Sequence, residues 1–311
     1  MEAFYEELCK LITEEGSVLR EEPMKNHTTF RVGGPAEYFV TVTTTAMLQA
    51  VIKLCNSFGV SWFVLGNGSN LLVSDAGVRG VVLRLAGDFT QCEIKENIHD
   101  GTADAMAGGG MLLSAFAMQL AKKGFSGFEF AAGIPGSVGG AVMMNAGAYG
   151  GEIKDCIVRA EIVTGDGECR IYSAEELQLS YRHSILTEMR GIVTKAWFSF
   201  PIGSKLYILS NIEMLNRKRK EKQPLEYPSA GSTFKRPEGN FAGKLIMEAG
   251  LAGMQIGGAA VSEKHCGFVI NKDNATAEDI YSLMQYVIKK VEETSGIRLE
   301  PEVKLLGDFS A

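Results

Sequence analysis

The sequence predicts an α+β protein of two domains, on the evidence of its length, its alternation of strand and helix patterns, and one stretch dense in glycine. The 311 residues suffice for two domains, or three small ones, at about 150 residues per domain. Short segments rich in β-branched and aromatic residues alternate with segments whose apolar residues recur at helical spacing. Between residues 101 and 151 there are 13 glycines, interspersed with apolar and aromatic residues. This density indicates backbone that packs closely against something, or that adopts positive φ at many positions.

The predicted elements begin with a short amphipathic helix and a linker in the first 25 residues. Apolar segments predict strands over residues 38–42, 62–65, 71–73, 81–85, 156–164 and 192–200. The third and fourth of these are expected to continue the first sheet. Helical spacing predicts a helix over residues 46–58, and a capping box at Ser173 predicts a short one. The basic run 217–222 closes another helix. A capping box at Thr276 opens a helix with a clear apolar stripe that ends near Gly296.

We place the main domain boundary near residue 202. This gives an N-terminal helix and linker over residues 1–25, a first domain over 26–201 and a second over 202–311. No internal repeat is evident in the sequence.

Charge and composition exclude several classes of protein. A net charge of −6 gives no general attraction for nucleic acid or for an anionic membrane surface. The charged N-terminal residues do not form a secretory signal, and the uncharged segment 130–151 contains too much glycine for a lipid-facing helix. The six cysteines form no CxxC pair and no metal-like cluster with the four histidines. We therefore expect free thiols, a cytoplasmic location, no membrane insertion and no metal.

Two glycine-rich loops carry the strongest motifs. Each can direct consecutive backbone N–H groups at a pyrophosphate, although a single loop of this kind is more often a tight structural turn. The first loop lacks the third glycine and the following helix of the dinucleotide fingerprint. Neither loop matches a P-loop, and no serine sits in a nucleophile elbow. Two such loops in one domain favour a bound dinucleotide or flavin, with candidate contacts at Gly66, Asn67, Gly68, Ser69, Asn70 and Leu71, and at Gly133, Ile134, Pro135, Gly136, Ser137, Gly139 and Gly140.

Three polar segments elsewhere are candidates for chemistry. Arg182 follows the predicted helix at Ser173, Ser232 lies in a polar loop after Gly231, and Glu302 lies just inside an apolar strand. Taken singly, each has an ordinary alternative: a surface salt bridge, a helix-capping serine and a solvated strand glutamate. The basic run has one too, because a charged helix end is usually solvated, although it can contact a phosphate if it faces a cleft.

Together these segments resemble the UDP-N-acetylenolpyruvoylglucosamine reductase family of flavoenzymes. The resemblance spans nearly the whole chain in motif, order and spacing, including residues 26–34, 66–71, 127–150, 231–235 and 299–303. It implies an FAD-binding domain of the vanillyl-alcohol-oxidase-like (PCMH) type with two subdomains, followed by a smaller α/β substrate-binding domain. It also implies that NADPH reduces a non-covalently bound FAD, which then delivers a hydride to the enolpyruvyl ether of a small-molecule UDP-sugar, in peptidoglycan precursor synthesis.

The resemblance assigns roles to individual residues as well. The family's catalytic arginine, serine and glutamate fall on Arg182, Ser232 and Glu302. Its substrate-contacting tyrosine falls on Tyr149 and its phosphate-contacting lysine on Lys222. Arg236 stands where the longer form of the family has an asparagine near the nucleotide, and the short interval from Arg182 to Ser232 matches the form without an inserted tyrosine loop.

These roles suit the chemistry of the implied reaction. Hydride addition to an enol ether leaves negative charge that spreads into the adjacent carboxylate, which the Arg182 guanidinium would stabilise. A neutral Glu302 would donate a hydrogen bond to the same carboxylate. The carbon then needs a proton, which the Ser232 hydroxyl would deliver.

Two alternatives stay open from the sequence. Another FAD-dependent alcohol or sugar oxidoreductase would share the glycine loops but not the motifs of Ser232 and Glu302. A flavin- or nucleotide-binding regulatory module would also explain the loops, but would leave all three polar segments without a purpose.

Overall fold

The computed structural model describes residues 2–12, 16–97 and 101–309. Its α-helices are α1 (Glu2–Leu11), α2 (Thr45–Phe58), α3 (Leu113–Lys123), α4 (Val138–Met143), α5 (Leu186–Met189), α6 (Lys205–Lys222), α7 (Ala242–Glu248) and α8 (Ala277–Ser295). Its strands are β1 (Ser17–Pro23), β2 (Pro35–Val42), β3 (Trp62–Leu65), β4 (Leu71–Val73), β5 (Val78–Leu85), β6 (Cys92–Asn97), β7 (Thr102–Gly108), β8 (Gly147–Ala148), β9 (Gly151–Glu152), β10 (Ile157–Val163), β11 (Cys169–Ser173), β12 (Ile192–Pro201), β13 (Gln255–Ile256), β14 (Ala259–Val261), β15 (Val269–Asn271) and β16 (Lys304–Leu306).

The chain forms two compact units. Unit 1 comprises Met1–Arg20, Tyr38–Asn67 and Gly80–Lys218, and unit 2 comprises Glu21–Glu37, Gly68–Arg79 and Arg219–Ala311. In the described part of the chain, no helix has both the length and the apolar character that crossing a bilayer requires.

Helices α1 and α2 pack against a four-stranded sheet in unit 1, which has the strand order β1-β2-β5-β3. Helix α2 buries its face at Leu48, Val51, Ile52 and Cys55. Its ends are set by the Thr44 side chain, which accepts a hydrogen bond from a first-turn amide, and by a left-handed Gly59. The predicted strand 38–42 and helix 46–58 are confirmed. Apolar residues recur about every second residue in the strand and every 3.6 residues in the helix, so each element buries one face.

A second sheet of unit 1 includes β7, the strand that begins the glycine-dense segment. Its five strands are ordered β11-β10-β12-β7-β6, and every neighbouring pair is antiparallel. Alternate residues of β12 are buried, and two of them join an aromatic cluster formed by Phe116, Phe128, Phe198 and Phe200. Helices α3 and α4 contribute to the same core, so the segments between them are held on a rigid base.

Unit 2 is built around α8, whose predicted apolar stripe and capping box are both confirmed. The stripe packs with the antiparallel sheet β13-β14-β15 and with β4 in one core. The Asp75 carboxylate accepts the Ala277 and Glu278 amides, each at 3.0 Å, so the helix start is fixed by a second acceptor besides Thr276. Gly296 ends the helix in the left-handed conformation that favours glycine.

Three local predictions are wrong. The capping-box hydrogen bonds between Ser173 and Glu176 form, but the segment makes one turn and no helix, because Gln178 adopts a left-handed conformation that ends it. Strand β4 does not continue the first sheet, since it pairs in parallel with β16. The predicted linker contains β1. The predicted domain boundaries stay a prediction, and the two compact units divide the chain at other residues.

Candidate functional site

The two glycine loops contact each other within unit 1. The Asn67 side-chain amide donates to the Pro135 carbonyl at 2.6 Å, and the space that a Cβ on Gly66 would occupy lies 2.6 Å from Ser137 Oγ. Gly66, Asn67, Pro135 and Gly140 are exposed. Ser137 Oγ also accepts the Gly140 amide and so caps the start of α4. The pair of loops therefore presents exposed backbone beside a helix start, which is the chemistry that a diphosphate requires.

Other residues of these loops have structural reasons for their identity. A Cβ on Gly68 would lie 2.0 Å from the His27 carbonyl oxygen, and one on Gly139 would lie 2.9 Å from the Gly109 oxygen. Leu71 is buried at the start of β4, and Asn70 donates to the Glu302 carbonyl at 3.1 Å. Ser69 lies in the turn between Gly68 and Asn70. Gly133, Ile134 and Gly136 lie in the segment that leads to Ser137.

Tyr149 occupies the tip of a short hairpin in unit 1. Strands β8 and β9 pair Gly147 with Glu152 and Ala148 with Gly151, which leaves Tyr149 and Gly150 as a two-residue loop. Both loop residues have positive φ, at 54° and 91°, as the tight hairpin turn requires. The Tyr149 side chain is half exposed. The turn thus leaves an aromatic side chain accessible from solvent.

Arg182 lies in a second tight turn of unit 1. The Ser180 and His183 backbones exchange two hydrogen bonds of 3.1 and 3.2 Å, and Arg182 between them has φ 55°. Its guanidinium carbon lies 5.3 Å from the centre of the Tyr181 ring. A left-handed arginine is strained, and such residues persist where the surroundings hold them in place.

The Glu152 carboxylate links this turn to the hairpin. Its pKa is lowered, first by the hydrogen bond from the Lys154 ammonium at 2.9 Å and further by the Asn145 amide and the positive charge of Arg182. The carboxylate is therefore an anion that balances the local positive charge.

A groove of about 440 Å³ adjoins Tyr149 in unit 1. Helix α6 supplies one wall with Asn211, Met214, Leu215 and Lys218, and the other wall includes Phe130 and Tyr149. Apolar and polar groups face the same space, as a ligand with a sugar or a base requires.

In unit 2 the structure brings the backbones of Ser232 and Glu302 together. Thr233, which is fully buried, accepts the Glu302 amide with its carbonyl at 2.8 Å and donates its own amide to the Gly267 carbonyl at 2.9 Å. Its hydroxyl oxygen accepts the Val269 amide at 2.8 Å. Ser232, one residue earlier, is exposed, and Gly231 before it has φ 76° with open space around it. Thr233 thus fixes the backbone of the loop, while the neighbouring Ser232 stays exposed.

Three predicted residues of unit 2 lie in different settings. Glu302 is half-buried and precedes β16 rather than lying inside a strand; that expectation is wrong because only Pro301 forms a bridge before Lys304. Lys222 is exposed at the end of α6. Arg236 lies 4.1 Å from the centre of the Phe241 ring and donates to the Asn240 carbonyl. A second, shallower cavity is lined by Lys25, Asn26, Thr28 and Arg31.

In residues 2–12, 16–97 and 101–309, no three His, Cys, Asp or Glu side chains are grouped so that they could hold a metal ion.

Comparison with known proteins decides the family. Residues 36–173 match the model of an FAD binding domain, and residues 223–306 match that of the C-terminal domain of UDP-N-acetylenolpyruvoylglucosamine reductase. The chain is 54% identical to the UDP-N-acetylenolpyruvoylglucosamine reductase of Lachnoclostridium phytofermentans, over 97% of both chains. The chain belongs to the UDP-N-acetylenolpyruvoylglucosamine reductase family. It is also 47% identical to the reductase of Caldanaerobacter subterraneus, over 96% of this chain and 97% of that one.

The solved structures agree with this membership of the reductase family. The crystal structure of UDP-N-acetylenolpyruvylglucosamine reductase from Thermus caldophilus has a TM-score of 0.79 and 37% identity, and covers 94% of this chain and 99% of that one. The predicted resemblance, the PCMH-type FAD-binding fold and the FAD cofactor are therefore confirmed, and the protein is an FAD-dependent oxidoreductase. The exposed, paired glycine loops fit the diphosphate of that cofactor, with Gly66, Asn67, Ser137 and Gly140 as the residues that would hold it.

Sequence reasoning missed two buried polar residues, Asn145 and Thr233. Both are at most 1% exposed. Asn145 makes three hydrogen bonds through its side chain, and Thr233 makes four with neighbouring segments, one through its hydroxyl and three through its backbone. The only available signal is a polar residue inside an otherwise apolar or glycine-rich motif, which does not reveal its partners.

Proposed function

We propose that this protein catalyses the NADPH-dependent reduction of UDP-N-acetyl-3-O-(1-carboxyvinyl)-glucosamine to UDP-N-acetylmuramate, in the cytoplasmic synthesis of peptidoglycan precursors. The observation that carries the proposal is the 54% identity to a named reductase over 97% of both chains.

When bound, FAD would supply the redox chemistry that moves a hydride from NADPH to the terminal carbon of the enolpyruvyl group, and Gly66, Asn67, Ser137 and Gly140 would hold its diphosphate. The charge that develops is shared between the neighbouring carbon and its carboxylate. We assign stabilisation of that carboxylate to Arg182, whose planar guanidinium can form two parallel hydrogen bonds with it. Glu302 is assigned a hydrogen bond to the same carboxylate in its protonated form.

Ser232 Oγ is assigned the proton transfer to the carbon that carries the carboxylate. Three observations support this assignment: the hydroxyl is exposed, the preceding Gly231 leaves open space beside it, and Thr233 anchors the loop. An exposed side chain on a fixed backbone is accessible to a substrate, as a general acid must be.

Substrate positioning is assigned to Tyr149, Lys222 and Arg236. Tyr149 is held at a hairpin tip beside the groove of unit 1. The ammonium of Lys222 and the guanidinium of Arg236 are both exposed cations, as contacts to a nucleoside diphosphate require.

One experiment tests the whole proposal. The visible spectrum of the purified protein is recorded anaerobically, NADPH is added to bleach the flavin absorbance, and the enolpyruvyl UDP-sugar is then added. We expect the absorbance to return only when the UDP-sugar is present. Return of the absorbance with a simple alcohol oxidation product, or with no UDP-sugar at all, would overturn the proposal in favour of another flavin oxidoreductase.

A further inference from the structure

Asn145 makes the densest set of side-chain hydrogen bonds near the candidate substrate residues of unit 1. It is 1% exposed, and its backbone has φ 40°. Its side-chain nitrogen donates to Glu152 Oε2 at 2.8 Å and to the Ser180 carbonyl at 3.1 Å. Its side-chain oxygen accepts the Lys154 amide at 2.9 Å. The amide therefore uses both donors and its acceptor, with each partner on the hairpin side or on the Arg182 turn.

The Arg182 turn is held from the Asn145 segment at both of its ends. Ser180, at the start of the turn, receives the Asn145 amide on its carbonyl. Ser184, just after the turn, is fully buried and donates its hydroxyl to the Met143 carbonyl at 2.7 Å. Because Arg182 has φ 55°, the turn needs such anchors to keep a non-glycine residue in a left-handed conformation.

The hairpin that presents Tyr149 is held by the same side chain. Glu152 pairs with Gly147 across the hairpin, and its carboxylate is fixed between Asn145 and the Lys154 ammonium. The positive charge of Arg182 contributes, after the Lys154 and Asn145 hydrogen bonds, to the lowered pKa of the same carboxylate. One buried amide thus joins the Arg182 turn to the Tyr149 hairpin.

We propose that Asn145 is a positioning residue for the reductase reaction, which sets the Arg182 guanidinium in place for the substrate carboxylate and aligns it with Tyr149. This inference rests on the proposed function for its catalytic part. Because Asn145 holds the segments of Arg182 and Tyr149, which the proposed function assigns to the UDP-sugar, we expect its loss to slow the half-reaction that involves the UDP-sugar. A small displacement of a positioned group lowers a rate by up to about 100-fold.

The test uses Asn145→Gly, which keeps the left-handed backbone and removes all three side-chain hydrogen bonds. Asn274→Gly is the matched control, because Asn274 is also left-handed, at φ 48°, but is exposed in unit 2. In anaerobic stopped-flow, we expect Asn145→Gly to reduce its flavin with NADPH at the parent rate. Reoxidation by the enolpyruvyl UDP-sugar should slow by about 10- to 100-fold. The control should keep both rates.

A double-mutant cycle with Arg182→Lys separates positioning from general damage. If Asn145 acts through Arg182, adding Asn145→Gly to Arg182→Lys should slow reoxidation less than about threefold further, because interacting residues are not additive. Equal slowing in both backgrounds overturns the proposal, as does an unchanged reoxidation rate in the single variant.

Hydrogen–deuterium exchange tests the placement without any substrate. Amides of residues 180–184 should exchange about tenfold faster in Asn145→Gly and at the parent rate in Asn274→Gly, because local opening becomes easier. Unchanged exchange there overturns the inference. A parent protein whose flavin the UDP-sugar does not reoxidise refutes the proposed function instead, and leaves this exchange result to judge Asn145. If Asn145→Gly does not fold, Asn145→Asp is used for every measurement, since it keeps the size and the acceptor but loses both donors.

Discussion

Gly68→Ala should destabilise the protein strongly, although the residue lies in a loop that the sequence assigns to the cofactor. The reason is a close approach within unit 2. A Cβ at this position would lie 2.0 Å from the His27 carbonyl oxygen and 2.9 Å from Thr28 Cα. The Thr29 amide donates to the Gly68 carbonyl at 3.1 Å, so the two segments are also joined by a hydrogen bond.

The expected magnitude has two parts. Alanine in a left-handed conformation costs about 1–2 kcal/mol, and φ at Gly68 is 60°. A contact at 2.0 Å is far inside the distance of about 3.5 Å at which non-bonded atoms attract, so the backbone must move. Overpacking of this kind costs about 1–3 kcal/mol more. We therefore expect a total loss of about 2–5 kcal/mol in the free energy of unfolding.

Gly59→Ala is the matched control for the conformational part. Gly59 ends α2 with φ 65°, and a Cβ there would meet nothing within 4 Å. This variant should lose only about 1–2 kcal/mol. Unfolding in urea is followed by circular dichroism, on protein freed of FAD so that ligand binding does not add to stability. Equal losses in the two variants would refute the reasoning, and so would a Gly68→Ala protein that loses FAD affinity while its apo stability is unchanged.

Four further outcomes are expected. Ser232→Ala should keep the NADPH half-reaction and slow reoxidation by the UDP-sugar, with Ser232→Cys less impaired because a thiol is the stronger acid; stopped-flow measures both, and slowing of the NADPH step instead would place Ser232 elsewhere. Arg182→Lys should lower turnover by about 100- to 1,000-fold with a smaller change in KM, since one positioned donor is worth about that much; unchanged turnover would assign the arginine to a surface role. Thr233→Val should cost about 1–3 kcal/mol, because it leaves the buried Val269 amide without an acceptor, which thermal unfolding measures against the parent. Acid precipitation should release yellow FAD into the supernatant, and colour retained in the pellet would contradict non-covalent binding.

The elements that the sequence predicts well are those whose burial follows a simple period. Helix α8 has a complete apolar stripe, a capping box at Thr276 and a terminal glycine, and the structure reproduces all three. Strand β12 alternates buried and half-buried residues in the same manner. Such patterns are local, so they require no knowledge of which segments of the chain become neighbours.

The failures arise where a distant partner decides the outcome. The capping box at Ser173 is an exception, because it forms its two hydrogen bonds and the left-handed Gln178 close by then ends the turn. Strand β4 looks like the next strand of its neighbours' sheet, but it pairs with β16, more than 200 residues away. Gly68 lies in a loop with the composition of a phosphate-binding loop. The position needs a glycine, however, because the His27 backbone leaves no room for a side chain. None of these partners is visible in a local window of sequence.

In the candidate site, the sequence motifs identify the residues proposed to contact the substrate but not the buried residues that hold their backbones in place. Arg182 and Tyr149 lie on tight turns and Ser232 lies in a loop, and all three are exposed or half-buried where the backbone has little regular structure. In each unit one buried polar residue supplies the missing rigidity, Asn145 for the two turns of unit 1 and Thr233 for the segments of Ser232 and Glu302. A buried polar group is costly unless every hydrogen bond is made, so each of these residues fixes the geometry of all its partners at once. Substitution of the holding residue should therefore impair the reaction while every residue in contact with the substrate stays chemically intact.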